Sequence, residues 1–389
     1  MSEKIIKQQL HKIDLLAQNK QKELNKEQYD KYYPIFKTAF TILKKSPVLL
    51  YGGMAINEML PKKLKIYGED ALPDIDVFCK NAEKVATKIV KHFIKSGYPV
   101  TSYGDALHEG TFKIYVHGLQ IIDITDVSDA SFKILSKNSA KTSTGIKIVN
   151  PQFIRLSLHM MLSQSNDAHR WPKVFQRLLL FYKIYPPKKC NFTGLDKPQN
   201  IPNFIIEEIY DYVKKTDFVV FGYNELKTFF ENKDIPFNNQ PFIQLLVKED
   251  IYEVATDIIE KIGEEKLTLS KVYDQDDFIA KHIFIYYGKT KIAAIYTASS
   301  CVSYIKYNGL NYASIHTIIR MYMLMIFSSY KHFKSDQDNL ECLVNMLAII
   351  QYKHISTKSK IFKEFIMDCY GIHKGLVTLK REKLIRYNK

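Results

Sequence analysis

Blocks of hydrophobic residues, each with its own spacing, predict the secondary structure of this 389-residue chain. Residues 1–45 carry apolar side chains at helical spacing, and Tyr32-Tyr33-Pro34 is predicted to divide this stretch into two helices. The apolar run Val48–Tyr51 predicts a buried strand, which Gly52-Gly53 ends just before a helical pattern from Met54 to Leu60. The chain is therefore predicted to start with a helical arm, followed by a strand, a tight turn and a helix.

A second strand and a hairpin are predicted next. Asp74-Ile-Asp76-Val lies in a predicted strand, and residues 82–94 have the periodicity of an amphipathic helix. Phe112–Val116 and Leu119–Thr125 are predicted to pair as a hairpin around a glycine-containing turn. Beyond residue 150 the pattern becomes helical. Strands and helices are thus predicted to alternate along the first half of the chain.

Three aspartates in these predicted strands indicate a site for divalent cations. Residues two apart in a strand face the same side, so Asp74 and Asp76 are expected to present their carboxylates together. Asp123 lies in the apolar run Ile121–Thr125, where an ionised carboxylate is costly unless it is paired or bound to metal. Three carboxylates suit two Mg²⁺ or Mn²⁺ ions that assist nucleotidyl transfer, with Asp123 nearest the attacking hydroxyl.

Gly52 and Gly53 are the second part of this predicted site. The helix that follows them begins with free backbone N–H groups, which can hold a triphosphate. A glycine pair alone is weak evidence, and so is a lone Asp-x-Asp motif. The order of strand, Gly-Gly, helix, Asp-x-Asp strand and third-aspartate strand is far more specific.

This order of motifs resembles the polymerase-beta-like nucleotidyltransferase superfamily. Within it, Leu49–Asn57 (LLYGGMAIN), Pro73–Phe78 (PDIDVF) and Asn150–Arg155 (NPQFIR) are similar to the poly(A) polymerase catalytic subunit of large nucleocytoplasmic DNA viruses, of the poxvirus and giant-virus type. The resemblance covers roughly the first half of the chain. It implies an α+β fold, in which a nucleotidyltransferase domain has a mixed sheet and helices. It also implies template-independent addition of AMP from ATP to RNA 3′ ends.

Short matches in the second half predict a duplicated fold. They occur in the same order at offsets of 165–170 residues, with 218–222 repeating 48–52, 241–245 repeating 73–77, 254–256 repeating 85–87, 285–288 repeating 115–118 and 318–321 repeating 153–156. The second copy has Phe242, Gln244 and either Ala293 or Ala294 at the positions of the three acids, and Tyr223 at that of Gly53. It is therefore predicted to be catalytically inert.

Comparison of the two copies also distinguishes structural basic residues of the first copy from those that could bind a ligand. Arg155 recurs as Arg320, so a structural ion pair is favoured for it over a contact with ATP. Lys173 and Arg177 have no counterpart and lie at positions i and i+4 of a predicted helix, so both are candidates to bind the triphosphate. A solvated basic face is the equally supported alternative.

Four segments are predicted from these patterns. They are an N-terminal helical arm (1–45), a catalytic nucleotidyltransferase core (46–140), a helical segment that contributes to the substrate and nucleotide cleft (141–215) and the inert nucleotidyltransferase-like repeat (216–389).

Composition favours a nucleic-acid partner. The chain has 56 Lys and Arg against 41 Asp and Glu, a formal charge of +15, which suits a polyanion, a membrane surface being the alternative. No apolar stretch approaches the roughly 20 residues of a membrane span, so we expect a cytoplasmic protein, or one of a viral factory or virion. The five cysteines lack metal-ligand spacing and are expected to be reduced thiols.

The sequence thus predicts a poly(A) polymerase that uses ATP, an RNA 3′ end and Mg²⁺ or Mn²⁺, without a membrane partner. Two alternatives remain open at this point. One is another nucleotidyltransferase, of the CCA-adding or uridylyl type, and the other is a non-catalytic RNA-binding scaffold. A homodimer is also expected, since an inert second copy offers a surface for self-association around the RNA.

Overall fold

The computed structural model describes residues 3–68, 71–143, 145–190, 201–222, 242–354, 365–372 and 375–387. The chain divides into two compact units, Met1–Pro151 with Glu382–Lys389, and Gln152–Arg381. Each unit contains helices and one mixed sheet, so the predicted α+β class is confirmed.

The first unit is built on a seven-stranded sheet with the strand order β3-β4-β5-β2-β1-β7-β6. Strands β2 and β5 are parallel, as are β1 and β7, and the other neighbours are antiparallel. Its elements in chain order are α1 (Glu3–Lys44), β1 (Val48–Tyr51), α2 (Gly52–Met59), β2 (Ile75–Cys79), α3 (Ala82–Lys95), β3 (Thr101–Asp105), β4 (Thr111–Val116), β5 (Leu119–Asp126), α4 (Asp129–Ser136), β6 (Ala140–Lys141) and β7 (Lys147–Ile148).

Helix α1 continues through Pro34, so the predicted break there is wrong. Ile35, Phe36, Ala39 and Leu43 on its C-terminal part are buried. Proline removes one backbone donor from a helix, and burial of this apolar face offsets that cost.

Helix α3 follows the amphipathic pattern expected of it. The side chain of Asn81 accepts a hydrogen bond from the backbone N–H of Lys84 and caps the first turn. Val85, Ile89 and Phe93 recur at helical spacing and are buried. The helix thereby covers one face of the sheet that carries the aspartates.

The second unit is built on an eight-stranded sheet with the strand order β10-β11-β12-β9-β8-β14-β13-β15. None of the helices in the described part of the chain combines the length and the apolar character needed to cross a membrane. The elements of the second unit are α5 (Pro151–Leu162), α6 (Trp171–Ile184), α7 (Asn203–Val213), β8 (Val219–Val220), β9 (Ile243–Val247), α8 (Ile251–Ile262), β10 (Leu267–Leu269), β11 (His282–Tyr287), β12 (Thr290–Thr297), β13 (Val302–Tyr307), β14 (Leu310–Ala313), α9 (Ile315–Phe327), α10 (Lys331–Lys334), α11 (Gln337–His354), β15 (Cys369–Tyr370) and the first part of α12 (Leu376–Tyr387). The residues of α12 from Glu382 onward belong to the first unit.

The two sheets have the same topology. Seven strands, read from β3 in one sheet and from β10 in the other, have equivalent neighbours and the same parallel or antiparallel pairings. The predicted second copy is therefore confirmed. Asp76 lies opposite Asp123 in the first sheet and Gln244 lies opposite Ala294 in the second, which identifies Ala294 as the counterpart of Asp123. Tyr223, the predicted counterpart of Gly53, lies outside the described residues.

Four of the five cysteines are disulfide-bonded, so the expectation of reduced thiols is wrong for them. Cys190 pairs with Cys342 and Cys301 with Cys369, at Cα–Cα distances of 5.7 and 5.5 Å. Their sequence separations are 152 and 68 residues, so no local spacing motif marks the pairs. Cys79 is a buried free thiol.

Candidate active site

Asp76 and Asp123 lie side by side on the central parallel strands β2 and β5. Directly paired residues on neighbouring strands are about 4.8 Å apart and point to the same face of the sheet. Ile75 and Val77, which flank Asp76, are buried, whereas both aspartates are partly exposed. Two carboxylates therefore share one solvent-accessible patch above an apolar sheet.

Asp74 lies just outside the strand in which it was predicted. Strand β2 begins at Ile75, and Asp74 is an exposed residue immediately before it. Within the described ranges, no three His, Cys, Asp or Glu side chains are close enough together to hold a metal ion. Negative charges on neighbouring carboxylates repel one another, and a divalent cation between them would offset that repulsion.

Gly52 forms one wall of this patch. Its φ of +69° is in the left-handed region, and a Cβ atom added there would collide with Oδ2 of Asp76 and lie 3.2 Å from its Cγ. Only glycine therefore lets the backbone approach this carboxylate. Gly52 and the buried Gly53 begin helix α2, whose N-cap residue Tyr51 provides no side-chain cap. The N–H groups of the first turn can therefore donate hydrogen bonds to an anion.

Two polar side chains bind the carboxylate of Asp123, and sequence analysis missed both. Nζ of Lys113 lies 3.0 Å from Oδ2, and Nε2 of Gln120 donates to Oδ1 at 2.7 Å. The Lys113 and Asp123 side chains are only 26% and 22% exposed, so solvent screens this ion pair less than a surface one. Asp123 is therefore held at both oxygens.

Tyr51 forms the floor of the patch. Its ring stacks on Phe78 at a centroid distance of 3.8 Å, and its hydroxyl is hydrogen-bonded to the Thr125 hydroxyl at 3.1 Å. Burial raises the pKa of Tyr51, and the negative charges of Asp76 and Asp123 raise it further. The hydroxyl therefore stays neutral beside the two acids.

Other acids near the site have structural partners. Oδ1 of Asp126 accepts from the backbone N–H of Ala82 at the start of α3, at 3.1 Å. Asp129, whose side chain is 83% exposed, forms an ion pair with Lys80 at 3.1 Å. These contacts assign both aspartates to the surface of the fold.

Lys173 and Arg177 lie on helix α6 of the second unit. Lys173 is exposed and Arg177 is partly exposed, one helical turn apart, as predicted for a shared face. Trp171 at the start of this helix is buried, and its Nε1 donates to the carbonyl of Met161 at 3.0 Å. The helix is thus anchored while its two basic side chains reach the surface.

Arg155 is buried, and among the described residues it contacts neutral groups and not the acid that the predicted ion pair requires. Its guanidinium donates to Oδ1 of Asn345 and to the carbonyl of Tyr185, both at 3.1 Å, and lies 5.2 Å from the Tyr182 ring centroid. In the described part of the chain, its repeat counterpart Arg320 also donates to neutral oxygens, and burial lowers the pKa of Arg320 to about 10. Both arginines are structural residues of the second unit.

Comparison with known proteins identifies relatives for part of this chain. Residues 38–168 match the model of the family described as the poly(A) polymerase catalytic subunit. A protein of Acanthamoeba polyphaga mimivirus, provisionally named as such a subunit, is 29% identical over 177 residues, 44% of this chain and 29% of the mimivirus protein. A protein of African swine fever virus with the same provisional name is 28% identical over 153 residues, 37% of this chain and 31% of the viral protein. The matched segments thus span less than one third of the length of these relatives.

The fold of the whole chain is also found in a solved structure. The crystal structure of the Megavirus polyadenylate synthase aligns with 100% of this chain and 84% of its own, with a TM-score of 0.82 and 18% sequence identity. At this level of identity the likeness concerns the fold.

Proposed function

We propose that this chain adds AMP from ATP to RNA 3′ ends without a template, with release of pyrophosphate. The premise is that residues 38–168 match the family described as the poly(A) polymerase catalytic subunit. The observation that carries the proposal is the pairing of Asp76 with Asp123 beside the Gly52 turn. A nucleotidyl-transfer site needs acids next to an anion-binding helix start, and this patch has both.

The chemistry of this patch suits two Mg²⁺ or Mn²⁺ ions. Asp76 and Asp123 offer carboxylate oxygens on one face, Asp74 is two residues along the chain, and the positively charged Nζ of Lys113 already lies against Asp123. Divalent cations would be held by these three acids. When bound, they would neutralise phosphate charge and lower the pKa of the attacking RNA hydroxyl.

Residues of the chain would bind the phosphates of ATP and accept the proton of the attacking hydroxyl. The backbone N–H groups at Gly52 and Gly53 bind a phosphate of ATP, and no side chain at Gly52 blocks its approach. Asp123 accepts the proton of the attacking 3′ hydroxyl. Lys173 and Arg177 bind the triphosphate as charged donors on one helix face.

RNA is the proposed macromolecular partner, and the proposed assembly is a homodimer. The charge of +15 supports a polyanionic ligand. The second sheet keeps the topology of the first without the acids, so it is free to serve binding or association. Sedimentation equilibrium tests the assembly, and a monomer at micromolar concentration would contradict the homodimer.

A primer-extension gel tests the proposed reaction. The protein is incubated with a labelled RNA primer, Mg²⁺ or Mn²⁺ and each nucleoside triphosphate in a separate tube. We expect a ladder of longer products with ATP. Extension with CTP or UTP in preference to ATP would favour a CCA-adding or uridylyl enzyme. An unextended primer in every tube would reject transfer and leave the RNA-binding scaffold.

A further inference from the structure

We infer that Lys113 is a positioning residue for Asp123, which neutralises and orients this carboxylate until a divalent cation displaces it. The inference rests on the proposed function, since it concerns the same acidic patch. It goes further by giving a defined role in metal loading to a lysine that lies outside the motifs of the site.

The contacts of Asp123 are the first support. Lys113 lies directly opposite Asp123 on the antiparallel strand β4, with Nζ 3.0 Å from Oδ2, while Gln120 holds the other oxygen. The carboxylate is therefore fixed on both sides. Asp76 adds a second negative charge next to it on β2, so the charge of Lys113 reduces the repulsion between the two acids.

The second copy of the fold supplies an independent comparison. Register places Phe284 at the position of Lys113 and Ala294 at the position of Asp123, because these two residues are opposed on β11 and β12. The positions of Lys113 and Asp123 are thus both occupied by uncharged residues in a sheet that keeps the same strand order. The same strand pairing therefore forms without a lysine at this position. We attribute the presence of Lys113 to the carboxylates beside it and not to the pairing of the strands.

The residue at the position of Gln120 also differs between the two sheets. Its counterpart is Lys291, because each pairs with the residue beyond a register shift, Tyr115 in one sheet and Tyr286 in the other. Nζ of Lys291 lies 4.8 Å from the centroid of the Phe284 ring. Lys113 and Gln120 hold a carboxylate in the first copy, whereas the equivalent residues in the second copy form a cation–π contact.

Charge determines what happens when a cation arrives. A divalent ion at Oδ2 of Asp123 would occupy the position of the Lys113 ammonium and repel it. The side chain is partly exposed and has a flexible four-carbon stem, so it can turn toward solvent. Loss of the lysine charge should therefore destabilise the site without metal and strengthen metal binding, because the ion no longer competes with an ammonium.

Mn²⁺ binding to the full chain, followed by the electron paramagnetic resonance of free Mn²⁺, tests this inference. We expect Lys113→Met to bind Mn²⁺ about three- to tenfold more tightly than the wild-type protein. Lys113→Arg keeps the charge and should bind like the wild type, and so should Lys91→Met, which removes an exposed lysine of α3. Damage to the fold would weaken binding, so tighter binding has no purely structural explanation.

Thermal unfolding provides the second readout. Without Mn²⁺, Lys113→Met should unfold at a lower temperature than the wild type, and saturating Mn²⁺ should narrow that difference. If Lys113→Met does not fold, Lys113→Gln is measured instead. Equal Mn²⁺ affinity in the wild type and in the uncharged variants would overturn the role of Lys113 alone. Failure of the wild type to bind Mn²⁺ would overturn both this role and the proposed metal-dependent reaction.

Discussion

Asp76 lies directly opposite Asp123 across the parallel strands β2 and β5, and the same register in the second sheet pairs Gln244 with Ala294. Gln244 accepts a hydrogen bond from the Tyr322 hydroxyl at 2.9 Å, so this position is a neutral, buried contact in the second copy. One topology thus supports a charged, accessible pair in one unit and a packed core in the other. This contrast separates what the fold needs from what the proposed reaction needs.

Replacement of Gly52 by alanine should nearly abolish extension. The new Cβ atom would meet Oδ2 of Asp76, and alanine is strained at a φ of +69°. A misplacement of about 1 Å in a site can cost about 100-fold in rate, so we expect a loss of at least that size. Gly104→Ala is the matched control, since nothing lies within 4 Å of its added Cβ. A normal extension rate in Gly52→Ala would show that the turn does not bind the nucleotide.

Loss of the basic pair on helix α6 should weaken nucleotide binding. For Lys173→Ala combined with Arg177→Ala, we expect KM for ATP to rise at least about 100-fold, with a smaller change in kcat, since each charged hydrogen bond to phosphate contributes about 1.5–3 kcal/mol. Lys183→Ala, which removes an exposed lysine of the same helix, should leave KM unchanged. An unchanged KM in the double variant would assign both residues to a solvated surface.

Arg155 should affect stability but not nucleotide binding. Arg155→Met leaves Oδ1 of Asn345 and the carbonyl of Tyr185 without this donor in a buried setting. We expect a loss of about 1–3 kcal/mol of stability, seen as a lower unfolding temperature, with KM for ATP unchanged. A raised KM in a variant that is still folded at the assay temperature would instead make this arginine a nucleotide contact.

The His282–His332 pair should make stability depend on pH. Their Nε2 atoms are 3.0 Å apart, and burial lowers the pKa of His282 to about 4 and that of His332 to about 3. The unfolded chain therefore binds more protons than the folded one below the ordinary histidine pKa. The stability that the neutral pair contributes is complete above about pH 6.5 and falls as the pH drops toward 4, by up to about 3 kcal/mol for one protonation.

Unfolding temperatures at about pH 7.5 and about pH 5 test this sign. Asp276 and Lys291 also act on His282, with opposite effects on its pKa, and both remain in the variant compared. His282→Gln combined with His332→Gln should reduce the fall in unfolding temperature between the two pH values. An equal fall in the wild type and the double variant would contradict the assignment to this pair.

Much of the site could be predicted because its residues lie in short motifs with a physical meaning. Apolar strands on either side of Asp76 and Asp123 placed both acids in a sheet, and the parallel register of β2 and β5 makes them neighbours. Lys113 was missed because of a register shift between Ile114 and Tyr115 in the hairpin. A regular two-residue turn would have paired Lys113 with Ile122, so an irregularity invisible in the pattern brings the lysine opposite the acid.

Other differences also reflect long-range structure. The disulfides join cysteines separated by 152 and 68 residues, a proximity that only the tertiary fold creates. Pro34 predicts a break from local propensity, whereas buried side chains after it hold α1 together. By contrast, the repeat was predictable, since five short matches in one order preserved the spacing of the strands.

The rate of AMP addition to a labelled RNA primer by Asp76→Asn and Asp123→Asn tests the central claim most directly. Asparagine keeps the size of the side chain and removes the charge, so both variants should fold. We expect the rate to fall at least about 100-fold, since metal-assisted stabilisation of the transition state supplies several kcal/mol. Asp129→Asn, a change at a side chain that is 83% exposed, should extend the primer like the wild type. A wild-type rate in Asp76→Asn or Asp123→Asn would contradict the account.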